Sequence, residues 1–232
     1  MKTTQFGSYL TQMTRFPGFF PINAYLVRED DGFTLIDTGM AGGARDYVKI
    51  AAGLGRPIKH ITLTHAHGDH AGSLDALHAA LPNAEVSLTA RQTRLLHGDL
   101  SLDPTEPQGK VKGWWVPQQT QPTRIITVGE RIGSLQTIAA PGHSPDSIAF
   151  LDTRDNSLIA GDAFQTQAGI AVSGIMRIGF PFPAMATWDK PTALQSAKVL
   201  RALNPSRLAV GHGAVLENPA KDMDAAIAKA QQ

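Results

Sequence analysis

Cysteine is missing altogether from the 232 residues. No disulfide can form, and no thiolate can hold a metal. Any zinc-type site must therefore rest on imidazole and carboxylate. An excess of one charge is missing too: 21 Lys and Arg stand against 20 Asp and Glu, a formal net charge of +1. So even a balance exerts no strong pull on nucleic acid or an anionic membrane, and neither is expected as a partner. Charged residues make up only 18% while hydrophobic ones reach 42%, which suits a buried core rather than disorder. There is no run of about 18 apolar residues, so no transmembrane helix is expected. No apolar stretch follows Lys2, so no secretory signal is read and the cytoplasm is the expected compartment. Repeats and low-complexity tracts are also absent, and a single domain over 1–232 is expected.

What is present alternates. Ile22–Val27 and Phe33–Asp37 read as strands joined by the turn Glu29–Gly32. A helix is expected over Ala44–Leu54, closed by Gly55 and Pro57. Ile58–Thr64 reads as a buried strand, Gly72–Leu81 as a helix, Ala84–Thr89 as a strand and Ala90–His97 as a helix. Gly98–Pro122 holds four prolines around Trp114 and Trp115 and reads as a long irregular insertion, of the functional or mobile kind. Strands follow near Arg124–Val128, Leu135–Ala139, Ser147–Leu151, Ser157–Ala160 and Arg207–Val210. Helices are expected over Pro191–Leu203 and Pro219–Lys229, and Phe164–Ala186 reads as a second long loop. Such a series suits an α+β sandwich, two sheets covered by helices.

The chemistry concentrates in His65-Ala66-His67-Gly68-Asp69-His70, directly after a buried strand. Residues i and i+2 of an extended chain project to one side, so His65 and His67 can face one metal. Asp69 and His70 follow a glycine at which the chain can turn, and can reach a second. Three more candidate ligands stand beside glycines at the ends of apolar strands: His143, Asp162 and His212. Each alone is weak, because a lone histidine is more often structural and an aspartate after glycine is ordinary turn chemistry. His60, His78 and His97 lie outside the set and read as structural or exposed.

In its order the set resembles the metallo-β-lactamase superfamily. The likeness runs through Asp37-Thr38-Gly39, Thr64-His65-Ala66-His67-Gly68-Asp69-His70, Pro141-Gly142-His143-Ser144, Asp162 and His212. It implies an αββα sandwich with two divalent ions at one edge. Zinc is the expected ion, with iron and manganese also open. By the resemblance His65, His67 and His143 hold the first ion, Asp69, His70 and His212 the second. Asp162 and a water or hydroxide bridge the two, and Asp37 orients a ligand. Asp69 and Asp162 are then the catalytic carboxylates.

The branch is narrowed by what is missing. Lactamases with a cysteine ligand are excluded, and Asp162 counts against other β-lactamases, which usually lack the bridge. The tyrosines are Tyr9, Tyr25 and Tyr47, so the tyrosine expected of acyl-homoserine lactonases between Asp162 and His212 is absent. Only 213–232 follow His212, too few for the helical substrate domain of glyoxalase-II-like thioesterases. The expectation is a zinc-dependent hydrolase of a small ester, lactone or thioester. A mononuclear iron oxidoreductase of the persulfide-dioxygenase type, a β-lactamase and a phosphodiesterase are the alternatives. Phe19, Phe20, Trp114, Trp115, Met176 and Phe180 are the expected pocket residues for a small-molecule substrate. The same aromatics would also serve a homodimer contact.

Overall fold

A computed structural model describes all 232 residues. It opens with two strands that no apolar pattern announced. β1 (Lys2–Phe6) and β2 (Leu10–Arg15) form an antiparallel hairpin, and β2 pairs with β3 (Ile22–Arg28). Phe16–Phe20 thus lies between the second and third strands. β2 is buried yet polar: Gln12 donates to the Gly213 carbonyl and Thr14 to the Asn23 side chain. Those partners satisfy it in three dimensions and leave no alternation in one.

The chain continues through β4 (Phe33–Ile36), α1 (Ala44–Gly53), β5 (Ile58–Thr62), α2 (Gly68–Ala71), α3 (Leu74–Ala80), β6 (Glu85–Thr89), α4 (Ala90–Leu96) and β7 (Arg124–Ile126). These complete a seven-stranded sheet in the order β1 to β7, antiparallel up to β4 and parallel beyond it. Then come β8 (Arg131–Ile132), β9 (Leu135–Ala139), β10 (Ile148–Asp152), β11 (Ser157–Ile159), β12 (Phe164–Gln165), β13 (Ala171–Val172), α5 (Phe182–Ala186), α6 (Lys190–Ala202), β14 (Arg207–Ala209), β15 (Leu216–Glu217) and α7 (Ala220–Ala230). The second sheet runs β15-β14-β11-β10-β9-β8, with β11 and β14 parallel.

Neighbouring side chains on one strand serve different layers. Tyr25, Ile36, Phe150, Ile159 and Ala209 meet between the sheets. Leu26, Leu35, Ile61 and Val86 face outward onto Tyr47, Leu74, Leu77 and Leu95 of the helices. Leu158 and Leu208 face the other way, onto Leu200, Met223 and Ile227. Both faces of the central strands are buried, which is why they read as continuous apolar runs. The layers are helix, sheet, sheet, helix, the expected αββα sandwich. No helix is long and apolar enough to cross a membrane.

Two local expectations need correction. Gly68–Ala71 is not an open turn but one turn of helix, with His67 as its extended N-cap residue, and the next helix begins only at Leu74. The insertion 98–122 is not loose. Arg91 pairs bidentately with Glu106, Arg94 pairs with Asp103, and Asp75 accepts bonds from Gln119 and Thr120. A segment pinned in this way is a strap across the end of the first sheet.

A candidate metal centre at the strand ends

Parallel strands deliver their C-terminal ends to one edge. β4 leads to Asp37 and β5 to His65, both in the first sheet. In the second sheet β9, β11 and β14 run in one direction and lead to His143, Asp162 and His212. Asp69 and His70 arrive on α2. The seven sequence-predicted ligands come together in this way. Three overlapping groups have ligand atoms close enough to share an ion: His65, His67 and His143; His65, His70 and Asp162; Asp69, His70 and His212. The five imidazoles and Asp162 are buried, and Asp69 is the most open. His60, His78 and His97 are not part of these groups.

Each imidazole has one nitrogen anchored outward. His67 Nε2 meets the Lys112 carbonyl at 3.1 Å, and His212 Nδ1 meets the Pro21 carbonyl at 2.7 Å. A carbonyl only accepts, so both of these nitrogens carry the proton. His70 Nδ1 donates to Asp37 Oδ2 at 2.8 Å. Thr64 Oγ1 gives its own proton to Asp37 Oδ2 and so accepts from His65 Nδ1 at 3.1 Å. Ser173 gives its proton to the Asp162 carbonyl and Thr187 to that of Pro183, so both accept from His143 Nδ1.

The inward nitrogens are then lone pairs wherever the ring is neutral, as in His65, His67 and His143. His67 Nδ1 lies 3.1 Å from His65 Nε2 and 3.1 Å from His143 Nε2, with no proton to share between neutral rings. Asp162 Oδ2 is 3.4 Å from His143 Nε2 and 3.2 Å from His212 Nε2, and its Oδ1 is 3.5 Å from His70 Nε2. Asp69 Oδ2 is 3.3 Å from His212 Nε2. His70 Nε2 and Asp162 Oδ1 are buried with no hydrogen-bond partner. Convergent imidazole nitrogens and a buried carboxylate oxygen without a partner are what a cation satisfies. The donor set therefore fits divalent ions bound by nitrogen and oxygen.

The two halves differ in charge. Burial, then the neighbouring histidines, push His65 well down; burial also lowers His67 and takes His143 to about 3. Burial opposes charge on His70 and His212 as well. There, however, Asp162 and the other carboxylates outweigh it, lifting His70 to about 9 and His212 well above its ordinary value. Burial likewise works against ionised Asp69 and Asp162, yet the histidines hold both far below the usual carboxylate range.

Beyond the ligands, Asp37 does more than orient one ring. Its Oδ1 also accepts from the Thr64 amide at 2.7 Å, which ties β4 to the loop bearing His65. Asp146 was missed as a functional residue. Its carboxyl accepts from the Ala66 amide and the Ser144 hydroxyl, which locks the loop between His65 and His67 to the loop of His143. Burial lifts it to about 6. Its place three residues after His143 was the only sequence signal for it.

A cleft of about 540 Å³ opens onto Asp69, Asp162, His67, His143 and His212. Its apolar wall is Phe20, Met40, Trp114, Phe182 and Met185, and no Lys or Arg borders it. Phe20 and Trp114 thus stand where a pocket wall was expected. Trp115 instead packs edge-on against His67 at 4.5 Å, and Phe180 is buried behind Phe20 and His212. Phe19 and Met176 are corrections: they are 84% and 57% exposed and do not border the cleft. Phe20 turns inward onto Phe180, Phe182 and His212, while Phe19 turns out to solvent. Phe182 and Met185 fill the other side from α5, a helix read from the sequence as loop. Arg177 is held by the Ile170 carbonyl, away from the cleft.

A family model described as the Metallo-beta-lactamase superfamily matches residues 17–212. The chain belongs to that superfamily. Among curated members, YobT of Bacillus subtilis (strain 168) is 50% identical over 234 residues, covering 100% of both chains. From the same organism, a protein named probable metallo-hydrolase YflN is 29% identical over 82% of this chain and 80% of its own. A crystal structure of TTHA1623 in a di-iron-bound form is 27% identical, with a TM-score of 0.66 over 90% of this chain and 96% of that one. A metallo-beta-lactamase from Pontibacter korlensis has a TM-score of 0.76 over 100% of this chain and 99% of its own. At 16% identity, that likeness is one of fold alone. The superfamily gives the αββα architecture and its metal-binding edge.

Proposed function

We propose that this protein is a dinuclear metal-dependent hydrolase of a small, neutral ester, lactone or thioester. The observation that carries the reading is the set of five anchored imidazoles whose inward nitrogens converge on two carboxylates. His65, His67 and His143 would hold one ion, and Asp69, His70 and His212 the other. Asp162, whose Oδ2 lies near both His143 of the first group and His212 of the second, would join them. Divalent ions held in such a cradle would supply Lewis-acid polarisation of a carbonyl and a water whose pKa is brought toward neutrality. Asp69, the more exposed carboxylate, is placed to take a proton from an attacking water and return it to the leaving oxygen or sulfur.

No Lys or Arg borders the cleft, which favours a substrate that is uncharged beyond the part that would meet the ions. A carboxylate carried away from the ions would face an apolar wall with no side chain to receive it. The name of YflN agrees with a hydrolase, and the di-iron form of TTHA1623 agrees with two ions while leaving zinc and iron equal.

Elemental analysis of the purified protein, run beside a panel of esters, lactones, thioesters, β-lactams and phosphodiesters, tests the reading. About two ions per chain with turnover of one carbonyl class is the expected result. One iron per chain with oxygen consumption and no hydrolysis would replace it with the oxidoreductase reading.

A further inference from the structure

The cleft does not end at the ligand residues. Gly68 lies between His67 and Asp69, and a Cβ there would meet the Trp114 ring at 3.2 Å. The floor that carries Asp69 therefore runs directly into the Trp114 face. Across the cleft stand Phe182 and Met185 of α5. These three side chains are large, apolar and open: Trp114 is 51% exposed, Phe182 44% and Met185 64%. Trp114 and Phe182 are nevertheless held in place, and Met185 stands on the same short helix as Phe182. Trp114 sits on the pinned strap, and the Trp114 carbonyl accepts from the Gly68 amide at 2.7 Å. Phe182 packs edge-on against Phe20 at 5.0 Å, and the Thr187 hydroxyl closes α5 on the Pro183 carbonyl. A preformed apolar surface that starts at the reacting centre and carries no charged group is a surface for a hydrocarbon chain.

We propose that Trp114, Phe182 and Met185 form a subsite for the apolar tail of an uncharged acyl substrate, the carbonyl lying over Asp69 and the chain running outward between the strap and α5. The substrate class is thereby narrowed to esters, lactones or thioesters of medium-chain acyl groups. The proposal rests on the hydrolase reading for its chemistry, but the subsite can be tested by binding alone.

The probe is a series of neutral primary amides, butanamide through decanamide, titrated calorimetrically into the metal-loaded protein. The dissociation constant is expected to fall about fourfold per added methylene until the chain outgrows the wall. Met185→Asp, a change at an exposed position, is expected to flatten that dependence. Met176→Asp, an equally exposed methionine off the cleft, is expected to leave it intact. A dissociation constant independent of chain length, or a slope that survives Met185→Asp, overturns the subsite. So does a sedimenting dimer that excludes the amides, because a second copy of the chain would then be the occupant of the wall. Phenyl acetate hydrolysis, measured in parallel, separates the two ideas. A steep chain-length series without turnover supports the subsite and rejects the hydrolase. Turnover with a flat series rejects the subsite and keeps the hydrolase.

Discussion

Asp162 sits where the histidines of both halves converge, with one oxygen toward His70 and the other toward His143 and His212. Removing its charge while keeping its shape is therefore expected to affect both ions. Asp162→Asn should lower the occupancy of each, read as metal content per chain; an unchanged content would reject the bridging role. The histidines themselves predict a pH dependence. Without ions, His65, His67 and His143 resist protonation, while His70 and His212 carry protons at neutral pH. Ions entering the second group must displace those protons. Its affinity should rise as pH climbs from 7 through about 9, the value to which His70 is lifted, while the first group changes little. Titration of the metal-free protein in buffers of different protonation enthalpy should find proton release in one binding step, and equal release in both would contradict it. A raised histidine stabilises the metal-free fold below the ordinary histidine value, about 6.5, and that contribution fades as pH rises through about 9.

At the level of elements, the strap matters as a support. Lys112 offers the carbonyl that fixes the His67 tautomer, and the next residue, Gly113, has φ +112°. A Cβ at Gly113 would run into the His67 ring. Gly113→Ala combines a left-handed backbone that an L side chain rarely adopts with that collision. A loss of about 1–3 kcal/mol is expected from the backbone alone, measured by urea unfolding. Metal content should fall with it, since His67 is pushed off its lone-pair direction; a destabilised variant with full metal content would show that the strap does not position His67. The His143 loop is supported in a similar way at the start of α6. The amides of Trp188 and Asp189 donate to the carbonyls of His143 and Gly142, and Asp189 then caps the helix by accepting from the Thr192 amide.

In the whole molecule the site joins the two sheets. His65, His67, Asp69 and His70 follow strands of the first sheet, and His143, Asp162 and His212 follow strands of the second. Ions held by both sets would act as a clasp across the sandwich and stabilise the folded state by mass action, about 4 kcal/mol for each ion at a thousand times its dissociation constant. Chelation of both ions is expected to lower the melting temperature by roughly 15–30 degrees, restored by adding back the divalent ion. A melting curve indifferent to chelator, with metal removal verified, would contradict the clasp.

The sequence by itself determined the donor types, their order and their places after apolar strands, because ligand chemistry and two-sided burial are written residue by residue. It also determined what was excluded, thiolate ligation above all. Tertiary structure decided what depends on distant partners. The Pro21 carbonyl and His212 lie 191 residues apart, and Asp146 lies 80 from the amide it holds. Tertiary structure made strands of the polar β1–β2 hairpin and turned the insertion into a strap. It also chose Phe20, Phe182 and Met185 over Phe19 and Met176 for the wall. Composition and period report which residues will be buried. Only the packed backbone settles which of two neighbouring apolar residues turns toward the cleft and which toward water.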